Sequence, residues 1–164
     1  MSLSDRRLFL LGLAALPLAA CGFTPAYGPE GGASALRGRV LVQTPQTKQD
    51  FDFVARLDSR LGRATDAAYD LGYSISTSRQ SGGITASNVT TRYTLQGSAT
   101  WTLTERDSGE RVAGGTVRAF ASWSATGTTV ASLAAEDDAA RRLSIMLADQ
   151  VMLRLIAAAP SLTP

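Results

Sequence analysis

Cys21 is the one thiol in a chain of 164 residues that contains no histidine, and its neighbours assign it a chemistry. Leu18-Ala19-Ala20 stand before it at the end of an apolar run over residues 8–20, and Asp5-Arg6-Arg7 precede that run. A basic start, an apolar stretch and small residues at the cut are the marks of a cleaved leader. Here the cut falls before a cysteine, whose sulfur is a nucleophile able to take a diacylglyceryl group. Two or three acyl chains, at about 0.8 kcal/mol per buried CH₂, hold a protein on a membrane far more firmly than one. The run is shorter than the ~20 apolar residues of a membrane span, and a lone cysteine leaves no disulfide partner within the chain. Residues 1–20 are therefore expected to be a lipoprotein signal peptide, and the mature chain is expected to begin at a lipidated Cys21. Arg6-Arg7-Leu8-Phe9-Leu10 fits both general secretion and twin-arginine export. Gly22, not Asp, follows the cysteine, and this directs the expectation to the periplasmic side of a Gram-negative outer membrane.

Other reactive groupings are thin. Without histidine the commonest general base and metal ligand is missing. Ser81-Gly82-Gly83 has no following lysine and suits a hairpin tip better than a phosphate cradle. Lys48 is the only lysine and stands in a loop beside Pro45, a poor place for a Ser–Lys pair. Glu136-Asp137-Asp138 read as helix-start acidity, which the macrodipole favours, before they read as a cation site. The expectation is no enzyme, no cofactor and no metal.

Charge excludes a further class. The leader takes two arginines and one aspartate from totals of 16 basic and 14 acidic residues, so the remainder is nearly balanced and has no general pull toward nucleic acid. Ser, Thr, Ala and Gly fill most of the small and polar positions, a composition suited to enclosure by a partner.

The elements that must carry these residues follow from spacing. Residues 21–38 form the lipidated N-terminus and a Pro/Gly-rich tether, and residues 39–160 form one domain. Residues 39–43 predict a short strand closed by Pro45. Over residues 50–71, Val54, Leu57, Leu61, Ala64, Ala68 and Leu71 recur at threes and fours, which predicts a helix capped by Asp50 and ended by Gly72. Arg56, Arg60 and Arg63 share another face of it, with Asp52 placed to pair with Arg56. That row is either a solvated face or a surface for phosphates or acidic partner walls. Residues 73–79 predict a strand. From Tyr93 to Leu103, apolar residues alternate with Thr94, Gln96, Ser98, Thr100 and Thr102, and Asp107-Ser108-Gly109-Glu110 turns the chain into a second long strand over residues 111–124. A parity change after Val112 predicts a bulge at Gly114-Gly115. Residues 130–158 predict a final helix, stopped by Pro160. The order β-α-β-β-β-α predicts an α+β fold with two helices on one face of a four-stranded sheet, leaving a hydroxyl-rich face open.

Several segments in this order resemble a known family. Cys21-Gly22-Phe23-Thr24-Pro25-Ala26-Tyr27-Gly28 looks like the mature start of the alphaproteobacterial LptE-type lipopolysaccharide-assembly lipoproteins. Ala121-Ser122-Trp123-Ser124, the run Ala134-Ala135-Glu136-Asp137-Asp138-Ala139-Ala140-Arg141-Arg142, Leu147-Ala148-Asp149-Gln150-Val151 and Leu153-Arg154-Leu155 are similar to that family's last strand and helix. Trp123 departs from the tyrosine more usual there. The resemblance implies a non-enzymatic lipoprotein that assists and plugs the outer-membrane β-barrel LptD, with lipopolysaccharide as the transported lipid. No binding motif carries over residue by residue; Arg56, Arg60, Arg63, Arg79 and Arg92 are candidates for lipopolysaccharide or partner contact on charge alone. The alternative is an auxiliary lipoprotein that binds lipid chains in an apolar groove between sheet and helices.

Overall fold

In the computed structural model, residue 28 and residues 31–84, 90–125 and 127–162 are described. The expected signal peptide, Cys21 and residues 22–27 lie outside them.

Helix α1 (Gly32–Leu36) leads into strand β1 (Val40–Val42), helix α2 (Lys48–Leu61), strands β2 (Tyr69–Ile84), β3 (Thr90–Glu105) and β4 (Arg111–Ser124), and helix α3 (Thr129–Ala158). The order is α-β-α-β-β-β-α, one helix more than expected. The extra element falls within residues 21–38, expected to be tether. Ala33 and Leu36 are buried, and Gly32 lies so near the end of α3 that a Cβ there would stand 2.8 Å from the Ile156 carbonyl oxygen. Small residues and a glycine at the contact let this short helix dock where periodicity has too few turns to register.

The sheet runs β1-β2-β3-β4. β1 pairs in parallel with the first residues of β2, Val40 opposite Tyr69 and Val42 opposite Leu71. A parallel pair needs a crossover, and α2 supplies it. β2, β3 and β4 are antiparallel neighbours. Leu71, Ala99, Trp101, Leu103, Val117, Ala121 and Trp123 are buried on one face, against Phe53, Leu57 and Leu61 of α2 and Leu143, Leu147, Val151 and Leu155 of α3. Burying each leucine or phenylalanine is worth about 1.5–3 kcal/mol. Two helices on one face of a four-stranded α+β sheet are thus as expected.

The differences have local causes. α2 stops ten residues before the predicted glycine: Gly62, at φ +74°, is its C-cap, and Leu71 belongs to β2. Its start is a capping box in which Thr47 Oγ1 accepts from the Asp50 N–H and the Asp50 carboxylate accepts from the Thr47 N–H at 2.9 Å. Asp50 is therefore the third residue of the helix, closing the box, and Thr47 is the cap. Ser81-Gly82-Gly83 extend β2, although Gly83 has φ +75°. The β3–β4 register shifts where Leu103 faces Ala113 and Thr104 faces Arg111. The bulge therefore sits at Val112, and Gly114 and Gly115 remain in regular pairing. α3 begins at Thr129, capped by the Thr128 side chain, with no acid in its first turn. Glu136, Asp137 and Asp138 lie about two turns or more in, and they serve as ion-pair partners. By length and composition α3 would suffice to cross a membrane, but Leu143, Leu147, Val151, Met152 and Leu155 are buried within the domain.

Candidate functional site

Strict alternation along three long strands builds the open face of the sheet. Directly opposed residues share a face, so the rows are Ser74–Thr100–Thr116, Ser76–Ser98–Arg118, Ser78–Gln96–Phe120 and Gln80–Thr94–Ser122. Cross-strand hydrogen bonds tie neighbours together: Thr94 to Ser122 at 2.9 Å, Thr100 to Thr116 at 3.1 Å, and the Gln96 amide to Gln80 Oε1 at 3.0 Å. Such pairs each add roughly 0.2–1 kcal/mol and fix the side chains in place. In the middle, Ser76, Ser78, Gln96, Ser98, Arg118 and Phe120 line a depression of about 350 Å³. Phe120 is 68% exposed within this polar field. Exposed aromatic residues and arginines are both enriched where proteins meet.

The five arginines singled out by charge do not form one site. Arg56 makes a two-pronged contact with Asp149 of α3, Nε to Oδ1 at 2.8 Å and Nη2 to Oδ2 at 3.0 Å, and Arg60 reaches the same carboxylate at 3.4 Å. These two arginines bind the helices together. Asp52, expected to pair with Arg56, lies 4.0 Å from Arg141 of α3 instead. Arg63, past the end of α2, borders a separate hollow with Val40, Leu41 and Asp58. Burial there pushes the Asp58 carboxyl up from its ordinary range, with the Arg63 charge opposing it. Arg79 pairs with Glu136 at 3.1 Å and lies over the Tyr93 ring, which stacks on Trp123. Arg92 is the member of the set that is exposed on the open face, in the row with Ser124.

Phe120 and Arg118 escape a reading by charge or periodicity. The signal was the parity of Phe120: it stands with Arg118, Ser122 and Ser124, out of phase with Val117, Ala119, Ala121 and Trp123. Among the described residues no group of three or more acidic, histidine or cysteine side chains is placed to hold a metal ion. The centre of the layer between sheet and helices is filled among the described residues. Leu57, Leu103, Leu143, Leu147 and Leu155 are fully buried, and a Cβ at Gly97 would come within 2.9 Å of Leu143. Close packing of this kind fills the centre of the layer, and a hollow of about 330 Å³ opens at one end of it between Arg79, Tyr93 and Trp123 of the sheet and Ser132, Leu133 and Glu136 of α3.

The chain is thus a small α+β domain with α2 and α3 on one face of the sheet and a wide polar face opposite. The family profile of LptE, described as lipopolysaccharide-assembly, matches residues 37–155, and the chain belongs to that family. Among solved structures it is similar to a Caulobacter crescentus protein described as a lipoprotein, at 21% identity with TM-score 0.65, covering 81% of this chain and 98% of that one. It is also similar to rare lipoprotein B of Shewanella oneidensis (14% identity, TM-score 0.56, 75% and 95% covered) and to a minor lipoprotein of Acinetobacter baumannii (16%, 0.55, 73% and 89%). At these identities the likeness is one of fold. No curated protein matches the chain by sequence.

Proposed function

We propose that this protein is a lipid-anchored, non-catalytic subunit of the outer-membrane machine that delivers lipopolysaccharide to the outer leaflet. In this reading Cys21 carries the anchor, and the folded domain occupies the lumen of the LptD β-barrel, helping it fold and plugging it. The observation that carries the reading is the open face of β2, β3 and β4. It offers hydroxyls and amides already fixed by cross-strand hydrogen bonds, with Phe120 and Arg118 exposed among them. The inner wall of a large barrel is polar and wet, and a hydrated polar interface binds well without being apolar. Family membership supports the lipopolysaccharide-assembly role. The close-packed centre of the sheet–helix layer favours the barrel reading over an acyl-chain carrier with a groove running through it.

The test is gentle detergent extraction of native membranes followed by affinity isolation of the lipoprotein. A stable complex with a large barrel protein is expected, and Phe120→Asp should lower its yield several-fold while the variant keeps its helical and strand signal. A wild-type protein that emerges as a clean monomer would refute the barrel reading. Full yield from Phe120→Asp would remove the open face from it.

A further inference from the structure

Part of the segment expected to be tether is folded down onto the domain. α1 packs on the C-terminal end of α3 and on the short 3-10 turn that follows it (Ala159–Ser161). Ala33 and Leu36 are buried there, and Gly32 fits so closely that a Cβ would stand 2.8 Å from both the Ile156 carbonyl oxygen and the Ala159 Cβ. The chain before α1 is fastened to it as well. The Gly28 carbonyl accepts from the Gly31 N–H at 2.9 Å and from the Ser34 hydroxyl at 2.7 Å. Both α1 and its dock at Ile156 and Ala159 fall outside residues 37–155, the span of the family profile.

Docking changes how far the domain can stand from Cys21. With α1 in place the first fastened residue is Gly28, and the seven steps from Cys21 to it reach about 25 Å at most, whatever their conformation. Without α1 the first is Gly38, whose N–H donates to the Leu61 carbonyl at 2.8 Å and whose carbonyl accepts from the Thr65 N–H at 3.0 Å. Seventeen steps then reach about 60 Å. The 30 residues of α3 fall between these limits, at about 45 Å. α2 and α3 run parallel, as the pairs Lys48–Asp137 and Arg56–Asp149 require. The end of α2, Gly38 and α1 therefore gather at the C-terminal end of α3, and the N-terminal end of α3 lies a helix length away.

We propose that α1 is a strap that sets the orientation of the domain on the membrane holding its anchor. Docked, it keeps the C-terminal end of α3 toward the lipid surface and the N-terminal end, with its exposed Val130, away from it. A reach of about 25 Å is too short for α3 to stand end-on with its N-terminal end against the lipid, and a reach of about 60 Å allows it. The chain leaves at the same end of the domain in both states, so its length alone decides. The strap works only if Cys21 carries the anchor, and it rests on that part of the proposed function.

The test uses the full acylated lipoprotein in vesicles of phosphatidylethanolamine and phosphatidylglycerol. Val130→Cys or Leu153→Cys, at positions 77% and 64% exposed, supplies the one free thiol once Cys21 is acylated. A photoreactive label on that thiol reports lipid contact as crosslinked adduct, and the two positions stand about 35 Å apart along α3. Adduct at 153 is expected to exceed that at 130 by about three-fold or more. Gly32→Ala, which frees α1, is expected to bring the two toward equality. A Gly/Ser insertion of about ten residues after Gly22 should do the same with α1 still docked, because it supplies the longer reach. Equal adducts in the acylated protein with its natural tether, or a preference that survives the insertion, overturn the strap and leave the anchor standing. Mass spectrometry that finds Cys21 unmodified overturns the anchor, and the strap with it.

Discussion

Asp149 decides what two of the arginines do. Its carboxylate receives Arg56 and Arg60 across the helix pair, partly shielded from water, a setting in which charge-assisted hydrogen bonds exceed those of a fully solvated pair. Asp149→Ala is expected to destabilise the fold by about 1–2 kcal/mol in urea unfolding. Asp137→Ala, which removes the exposed Lys48 pair, should cost under about 0.5 kcal/mol. Tyr73 offers a second check. Burial, and then the negative charge of Asp50, push its phenol up to about 12. The folded pKa lies above the unfolded value near 10, so this stability is fully present below pH 10 and is lost as pH rises through 12. Ultraviolet titration of the phenols should show a late component that Tyr73→Phe removes. Neither feature is visible in one dimension. Arg56 and Asp149 are 93 residues apart in the chain, and the nearer acid, Asp52, looked the better partner because local spacing was all that could be weighed.

At the scale of elements, the β3–β4 hairpin was legible because period-two alternation runs from Tyr93 to Leu103, and a buried face tolerates no slip of register, whereas β2 is 16 residues long and not the seven expected. The end of α2 was not. Ala64, Ala68 and Leu71 continue a helical spacing by coincidence, while the chain has already turned at Gly62 and entered β2 at Tyr69. Helix periodicity reports which residues face a core, and a loop feeding a strand that faces the same core preserves the pattern. The same limit hid α1, whose two buried residues are too few to show a period. Docking of α3 on the sheet depends on Gly97, over which Leu143 and Leu147 lie. Gly97→Val should cost about 1–3 kcal/mol through overpacking, read as a lower urea midpoint with an unchanged slope. Gly32→Ala, which meets a backbone carbonyl rather than a flexible side chain, should release α1 and speed proteolysis before residue 37 while the rest of the domain stays folded.

Seen whole, the molecule puts its apolar residues between two helices and one sheet face and turns an ordered, hydroxyl-rich face outward. The outline of that face could be read from Thr94 to Thr102; its centre at Phe120 could not, since a single aromatic out of phase looks like noise until the register is known. In the proposed function, acyl chains at Cys21 and enclosure by a barrel would turn this shape into an assembly role, and mass spectrometry of the purified protein should then find a diacylglyceryl-modified Cys21 at the mature N-terminus. The most direct test is depletion of the protein in its own cells, followed by measurement of surface lipopolysaccharide and of correctly folded barrel. The account expects both to fall together. Normal levels of both after depletion would contradict it.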